Sequence, residues 1–296
     1  MSTNGNMPTL RQGIYSAIDP KNFSNAFKGQ VVLVTGSGRG IGREIALSFA
    51  KSGASVAITG RTKSQVDTTA SEVKSVLCGS AKAIGVVADG LKRDDQERLV
   101  QEVTAQLGAI DVLVCNAGTN TFMPFHLTDA DDWWYSMEIN VRSPVELTRL
   151  VLPSMRARNS GTLIYTSSRA ANANLPWTTA YNSAKIGITR FAGSLQAELD
   201  IVQKIDGGFT KNGISTFSIH PGEIETDLHQ TAIPEKTKLE APYVVEFMAK
   251  IGKNRPHFDV GLPAWTCVFL ATEEGKRLQG QFVDCTRDVE EMIAKL

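Results

Sequence analysis

Short runs of β-branched and aliphatic residues alternate along the chain with longer stretches in which apolar residues recur every three to four positions. A run of the first kind suits a strand buried on both faces, and a stretch of the second kind suits an amphipathic helix laid on a core. The pattern predicts strands at 31–35, 55–59, 83–88, 111–115, 161–166, 214–219 and 281–284. Helices are predicted at 40–52, 63–77, 94–107, 129–158, 178–203 and 263–271. Such alternation feeds a parallel sheet, because right-handed crossovers place helices on both of its faces. The fold class is therefore α/β, a single doubly wound domain with a seven-stranded parallel sheet.

No boundary is visible inside 30–285, so residues 1–29 read as a polar N-terminal arm and 30–296 as the doubly wound domain. Two stretches break the rhythm. Residues 206–213 are turn-rich and read as a surface insertion. Residues 223–262 hold Pro234, Pro242, Gly252, Pro256 and Gly261 and follow a strand's carboxyl end. Ligands in open α/β sheets sit at those ends, so this segment reads as a substrate lid.

Composition removes several classes of function. Hydrophobic residues make up 42% of the 296 and charged residues 21%, ordinary usage for a chain with a full core. Lys plus Arg and Asp plus Glu are both 31, so no field of one sign gathers nucleic acid or an anionic membrane. The aliphatic run Val31-Val32-Leu33-Val34 is far shorter than the roughly 20 residues needed to cross a bilayer. Residues 1–29 lack a basic start followed by an apolar run, so a cytoplasmic location is expected. Cys78, Cys115, Cys267 and Cys285 form no CxxC pair, and the histidines form no HExxH; structural thiols and no metal site are expected.

The first predicted strand runs directly into Thr35-Gly36-Ser37-Gly38-Arg39-Gly40-Ile41-Gly42. Glycines there permit a tight turn and close approach of backbone to a pyrophosphate, which then faces free N–H groups at a helix start. The spacing is GxxxGxG, not GxGxxG. Farther on, Tyr181 and Lys185 stand four apart in a helical stretch and so share a face. An ammonium group beside a phenol is expected to lower its pKa from about 10, giving an acid or base near neutral pH.

These motifs resemble the short-chain dehydrogenase/reductase family, and the resemblance covers about residues 30–285. It runs from Thr35–Gly42 through Asp89, Asn116-Ala117-Gly118, Asn140, Ser168, Tyr181 and Lys185 to Pro221-Gly222 and Thr226. It implies a Rossmann-type fold and a catalytic set of Asn140, Ser168, Tyr181 and Lys185. Ser168 lies thirteen positions before Tyr181, the family's spacing, which favours it over its neighbour Ser167. Its hydroxyl would donate to a substrate carbonyl oxygen while Tyr181 delivers the proton, Lys185 holds the nicotinamide ribose and Asn140 holds a water. Cofactor contacts are implied at Gly36, Ser37, Gly38, Arg39, Gly40, Ile41, Arg61, Thr62, Asp89, Gly90, Asn116, Ala117 and Gly118. Tyr181, Lys185, Pro221, Gly222, Ile224 and Thr226 complete that set. Two departures are Cys115, where the family usually has Asn, and Asp284-Cys285-Thr286 in place of a common Asp-Gly-Gly.

The second strand ends Ile58-Thr59-Gly60-Arg61-Thr62, with no acidic residue for the adenosine ribose hydroxyls. Arg61 and Arg39 instead suit a 2′-phosphate, which makes NADP(H) the expected cofactor. Use of Ser168 for acyl transfer lacks a base: no GxSxG surrounds it, and His220 has no evident orienting acid.

Phe122, Met123, Phe125, Leu175, Trp177, Leu228 and Phe247 follow strand ends and point to a pocket for a hydrophobic or aromatic carbonyl compound. Trp133 and Trp134 read as core or subunit contacts. The stretch Tyr15–Pro20 is similar to fungal reductases of the family, many of which act on secondary metabolites. The expected function is hydride transfer between NADP(H) and a carbonyl or secondary alcohol of a small molecule. A redox-coupled epimerase or dehydratase, or a non-catalytic NADP-binding regulator, are the alternatives. Surplus apolar positions on the helices at 129–158 and 178–203 predict a homodimer or homotetramer.

Overall fold

The computed structural model describes residues 7–206, 212–225, 233–252 and 256–296. In chain order the elements are β1 (Val31–Thr35), α1 (Gly40–Lys51), β2 (Ser55–Gly60), α2 (Lys63–Val76), β3 (Ala83–Val87) and α3 (Arg93–Gln106). Next come β4 (Val112–Cys115), α4 (Ala130–Met137), α5 (Ser143–Arg158), β5 (Gly161–Thr166), α6 (Thr179–Asp206) and β6 (Ile214–His220). The chain finishes with α7 (Glu235–Glu240), α8 (Pro242–Gly252), α9 (Gly261–Leu270), β7 (Phe282–Asp284) and α10 (Val289–Ile293). The seven strands form one sheet in the order β3-β2-β1-β4-β5-β6-β7, every neighbouring pair parallel.

Period-two alternation sends the side chains of each strand to two separate core layers. Val32 and Val34 meet Ile45 and Phe49 of α1 and Trp265 and Phe269 of α9 on one face. Val31 and Leu33 face Leu99, Leu147, Val151, Ile188 and Leu195 on the other. The sheet order reverses between β1 and β4, so the crevice for a ligand opens at their carboxyl ends. There Thr35 Oγ1 accepts from the backbone N–H groups of Asn116 (3.0 Å) and Ala117 (3.1 Å), locking the two strand ends together.

Three features depart from the sequence pattern. The helix expected over 129–158 is interrupted by a π-helical turn at Glu138–Arg142 between α4 and α5. Pro144 accounts for the break, since it has no N–H to offer the carbonyl of Asn140 four residues earlier. The lid region 223–262 contains helices α7 and α8, while 226–232 and 253–255 lie outside the described residues. The N-terminal arm is built into the domain: Ala17, Ile18, Phe23 and Phe27 are buried. Leu10 pairs antiparallel with Arg287, and Tyr15 Oη accepts from Val289 N–H (2.9 Å). Of the insertion at 206–213, residues 207–211 fall outside the described set.

On the helices flagged for surplus apolar surface, Leu147, Val151, Ile188, Leu195 and Leu199 are buried within the subunit. Trp134 and Ile186 remain exposed, so the surplus is smaller than the sequence suggests. No helix among the described residues is long and apolar enough to cross a membrane.

Candidate active site

The turn after β1 uses each glycine for a different reason. Gly36 and Gly40 sit at φ +62° and +56°, where a side chain is strained, and a Cβ on Gly36 would stand 2.9 Å from Ala117 Cα. A Cβ on Gly42 would strike the Gly36 carbonyl oxygen and Asn116 Nδ2. The N-cap position of α1 is Arg39, whose side chain makes no cap bond, which suits a helix start that receives an anion. Ile41 is half-buried against the core.

The Ser37 side chain braces the turn itself. It is fully buried; its hydroxyl donates to Val34 O (2.7 Å) and accepts from Thr59 N (2.9 Å), stapling the turn to β2. Gly38 touches α2, where a Cβ would meet Gln65 Cβ at 3.0 Å. At the end of β2, Arg61 is exposed and donates through Nη1 to Tyr135 Oη (2.9 Å), while Thr62 is the N-cap position of α2. Asp89 Oδ1 accepts from Leu91 N–H (3.1 Å), and Gly90 leaves room for Ser143, whose Oγ would lie 2.6 Å from an added Cβ. A Cβ on Gly118 would sit 2.6 Å from Asn140 Oδ1 and 3.6 Å from Lys185 Nζ. Pro221 and Gly222 are buried after β6, Ile224 packs into the core, and Thr226 lies outside the described residues. These cradles, each closed to a side chain, fit a dinucleotide at the β1–β4 switch.

The catalytic candidates converge at the carboxyl end of β5. Ser168 is extended (φ −163°) and caps a short turn over Arg169–Ala171, its Oγ accepting from Ala170 N–H (3.1 Å). The Ser168 side chain is also a polar neighbour of the Tyr181 phenol. Ser167 is turned inward, its hydroxyl donating to Lys185 O (3.1 Å). Lys185 is 3% exposed; its Nζ donates to Thr166 O (2.7 Å) and stands 5.3 Å from the centre of the Tyr181 ring. Asn140, in the π-helical turn, donates through Nδ2 to Thr119 O (2.9 Å) and Ser136 O (2.8 Å).

Electrostatics correct one expectation. Burial pushes the Lys185 ammonium down to about 7. Burial also raises the Tyr181 phenol above its ordinary value, partly offset by the Ser168 side chain beside it. Desolvation penalises phenolate and ammonium alike, so proximity alone does not lower the tyrosine. The site holds a protonated phenol ready to act as an acid.

The pocket beside Tyr181 is lined by Thr121, Met123, Thr128, Asp132, Trp133, Ser136, Trp177, Thr179 and Ala180. Trp133 belongs to this wall and not to the core: its Nε1 donates to Thr179 Oγ1 (3.1 Å), because α4 turns that face toward α6. Trp177 holds a left-handed backbone (φ +62°), and its carbonyl accepts from Met123 N–H (2.8 Å). Its ring meets Phe247 of α8 edge-on at 5.0 Å, and Thr237 of α7 donates to Phe122 O (3.0 Å). The lid helices are thereby docked on the pocket's rim. Phe125 and Leu175, expected in the wall, are 68% and 43% exposed and do not line the pocket, and Leu228 lies outside the described residues.

Sequence reasoning missed Tyr135, Thr179 and the group around His220. That histidine does have an acid near it, Asp284, but Asp284 is paired with Arg169 and Thr286, and His220 Nδ1 accepts from Arg169 N–H. Neither is disposed as a base for Ser168.

A doubly wound parallel sheet with a glycine-built crevice and a Ser–Tyr–Lys cluster at its carboxyl edge defines a dinucleotide-dependent oxidoreductase. The family model described as short chain dehydrogenase matches residues 30–237, and the chain belongs to that family. The family uses nicotinamide cofactors. Over 282 residues the chain is 34% identical to a short chain dehydrogenase of Pseudocercospora fijiensis, covering 94% of this chain and 87% of that one. It is 28% identical to the short chain dehydrogenase pigC of Monascus ruber, over 97% of this chain and 88% of the other. Similarity also extends to dehydrogenase/reductase SDR family member 4 of Homo sapiens, at 29% identity over 86% of this chain and 85% of that one.

Proposed function

We propose that the protein reduces the carbonyl group of an aromatic or otherwise hydrophobic small molecule, or oxidises the matching secondary alcohol, with NADP(H). The observation that carries this reading is the convergence of three side chains at the carboxyl end of β5: Ser168 acts on the Tyr181 phenol, and Lys185 Nζ, anchored on Thr166 O (2.7 Å), stands 5.3 Å from the same ring. A nicotinamide dinucleotide, when bound, supplies or accepts the hydride. The Ser168 hydroxyl donates to the substrate oxygen, and the Tyr181 phenol gives up its proton as negative charge develops there. Lys185, in its charged form, favours the phenolate left behind.

NADP(H) is favoured over NAD(H) by the absence of a carboxylate at the end of β2 and by the guanidinium of Arg61, steadied by Tyr135. Gly118, Asn140 and Lys185 would border the nicotinamide ribose. The indole rings of Trp133 and Trp177, with Met123, support an aromatic substrate. The fungal relatives accord with the N-terminal resemblance, and a fungal secondary metabolite is the source of substrate we favour. The exposed Trp134 and Ile186 support pairing of two or four subunits, and a cytoplasmic location is kept as part of the proposal.

Loss of NADPH absorbance with a panel of ketones, aldehydes and quinones tests the reading. We expect turnover with NADPH exceeding that with NADH, and a loss of about a hundredfold or more in Tyr181→Phe with NADPH affinity unchanged. Wild-type turnover by Tyr181→Phe overturns the assignment. Tight NADPH binding with no turnover across the panel returns the protein to the class of cofactor-binding regulators.

A further inference from the structure

The peptide bond that follows Ser168 is held from two directions by the ends of β6 and β7. The main-chain N–H of Arg169 donates to His220 Nδ1 at 3.2 Å. Its guanidinium donates to Asp284 Oδ2 through Nε (3.3 Å) and Nη2 (3.2 Å), and to Thr286 Oγ1 (3.0 Å). Thr286 in turn donates to Asp284 Oδ1 from its hydroxyl (2.6 Å) and its backbone N–H (3.0 Å). Backbone bonds tie the bracket to the sheet: Ser167 N–H to Ile219 O (2.7 Å) and Cys285 N–H to His220 O (2.9 Å). His220 and Thr286 are buried, at 4% and 0% exposure.

The geometry has a direct consequence for the site. A peptide unit is planar, so holding the Arg169 N–H direction restrains ψ of Ser168, and on that frame the bond from Ala170 N–H to Ser168 Oγ (3.1 Å) restrains the bearing of its hydroxyl. We propose that His220 is a positioning residue, which by accepting from Arg169 N–H, with Asp284 and Thr286 gripping the Arg169 side chain, aims Ser168 at Tyr181. The inference rests on the carbonyl-reduction reading of the site.

Supporting electrostatics agree with the geometry. Burial pushes His220 down to about 4, with Asp284 opposing and Arg169 assisting, so its ring stays a neutral acceptor at Nδ1 through the neutral range. Burial works against ionisation of Asp284, but hydrogen bonds from Thr286 and the neighbouring His220 and Arg169 outweigh it and leave the carboxyl below its ordinary value. Asp284 and Arg169 are the charged groups acting on the His220 ring.

Two substitutions separate positioning from packing. His220→Asn places an amide oxygen where Nδ1 stood, and His220→Leu fills similar space with no acceptor. In His220→Leu, kcat is expected to fall about tenfold while KM and NADPH affinity stay within about twofold. His220→Asn is expected to recover most of the loss. In a Ser168→Ala background the leucine variant should cost nothing further, because His220 acts through Ser168. A full multiplicative loss in that background, or equal kcat in the leucine and wild-type proteins, overturns the proposal.

Deuterium exchange at the Arg169 amide needs no turnover: slow exchange is expected in wild type and His220→Asn, fast in His220→Leu. Equal exchange in all three overturns the bracket whatever the activity, whereas a wild type inert to every carbonyl compound strikes the proposed function alone. Should His220→Leu not fold, Thr286→Val loosens the guanidinium grip, and an unchanged kcat and unchanged Arg169 exchange in that variant overturn the proposal.

Discussion

Lys185 lies 3% exposed with its ammonium pushed down by burial from 10.5 to about 7, and this makes protein stability depend on pH in a predictable window. Below pH 7 both folded and unfolded chains carry the proton, and the burial penalty is fully present. Between 7 and 10.5 the unfolded chain binds more protons, so wild-type stability rises with pH; above 10.5 neither state is charged and the slope vanishes. The rise is about 1.4 kcal/mol between pH 6 and 8 and a further ~2.5 kcal/mol between 8 and 10. Lys185→Met removes the titrating group at similar volume. Loss of the bond from Nζ to Thr166 O adds an offset independent of pH over most of the window. Urea unfolding followed by tryptophan fluorescence at pH 6, 8 and 10 gives both profiles. Subtracting them cancels the other groups titrating in this range. A flat difference would refute the claim that burial controls this lysine.

Three further outcomes follow from named contacts. Arg61→Asp should weaken NADPH binding by about 1.5–3 kcal/mol, roughly ten- to a hundredfold, with little change for NADH; calorimetric titrations in which both cofactors change equally refute the phosphate-pairing argument. Gly36→Ala, forced to φ +62° with its Cβ 2.9 Å from Ala117 Cα, should cost about 1–3 kcal/mol of stability and weaken cofactor binding. An unchanged melting temperature would show that the turn relaxes freely. Trp177→Gly should relieve about 1 kcal/mol of left-handed strain while removing the ring that meets Phe247, raising KM for aromatic substrates about tenfold with kcat little altered. A KM unchanged across the panel would mean that the ring serves the lid and not the substrate.

The sheet was legible because each strand is a short apolar run stopped by a turn residue. Thr35 before Gly36 and Thr166 before two serines mark ends that the structure places at the same residues. The helix expected over 129–158 is interrupted for a local reason: Pro144 removes the N–H that would bond Asn140 O, a signal present in the sequence but outweighed by the apolar periodicity on either side, whereas the one expected over 178–203 is continuous as α6. In 223–262 the prolines interrupt the strand–helix rhythm of the sequence, yet Pro234 and Pro242 each stand at a helix start, where the missing N–H costs nothing. The sequence reads Trp133 as a core or subunit contact, while its place in the pocket wall depends on Thr179 across 46 residues. Arg169 and His220 are 51 positions apart, and Arg169 and Asp284 are 115 apart. No periodicity within one segment encodes such a meeting, which the strand order creates.

Departures from local rules gather where chemistry is expected. Among the described residues, buried polar atoms lacking a protein partner include Thr166 Oγ1, Asn140 Oδ1 and Asn120 Oδ1, all at the carboxyl edge of β4 and β5 or in the turn facing it. Others, such as Ser48 Oγ and Thr266 Oγ1, lie inside α1 and α9 far along the chain from that edge, so one such atom has little meaning. The edge differs in carrying several kinds of cost together: a lysine pushed down to about 7, a π-helical turn, and Trp177 at φ +62°. Each costs on the order of 1–3 kcal/mol, and packing alone gives no reason to keep them in one place. A chain selected only for stability would exchange Lys185 for methionine, Trp177 for glycine and Asn140 for an apolar residue. Their concentration around Ser168 and Tyr181 is what a fold selected for proton transfer at that edge retains.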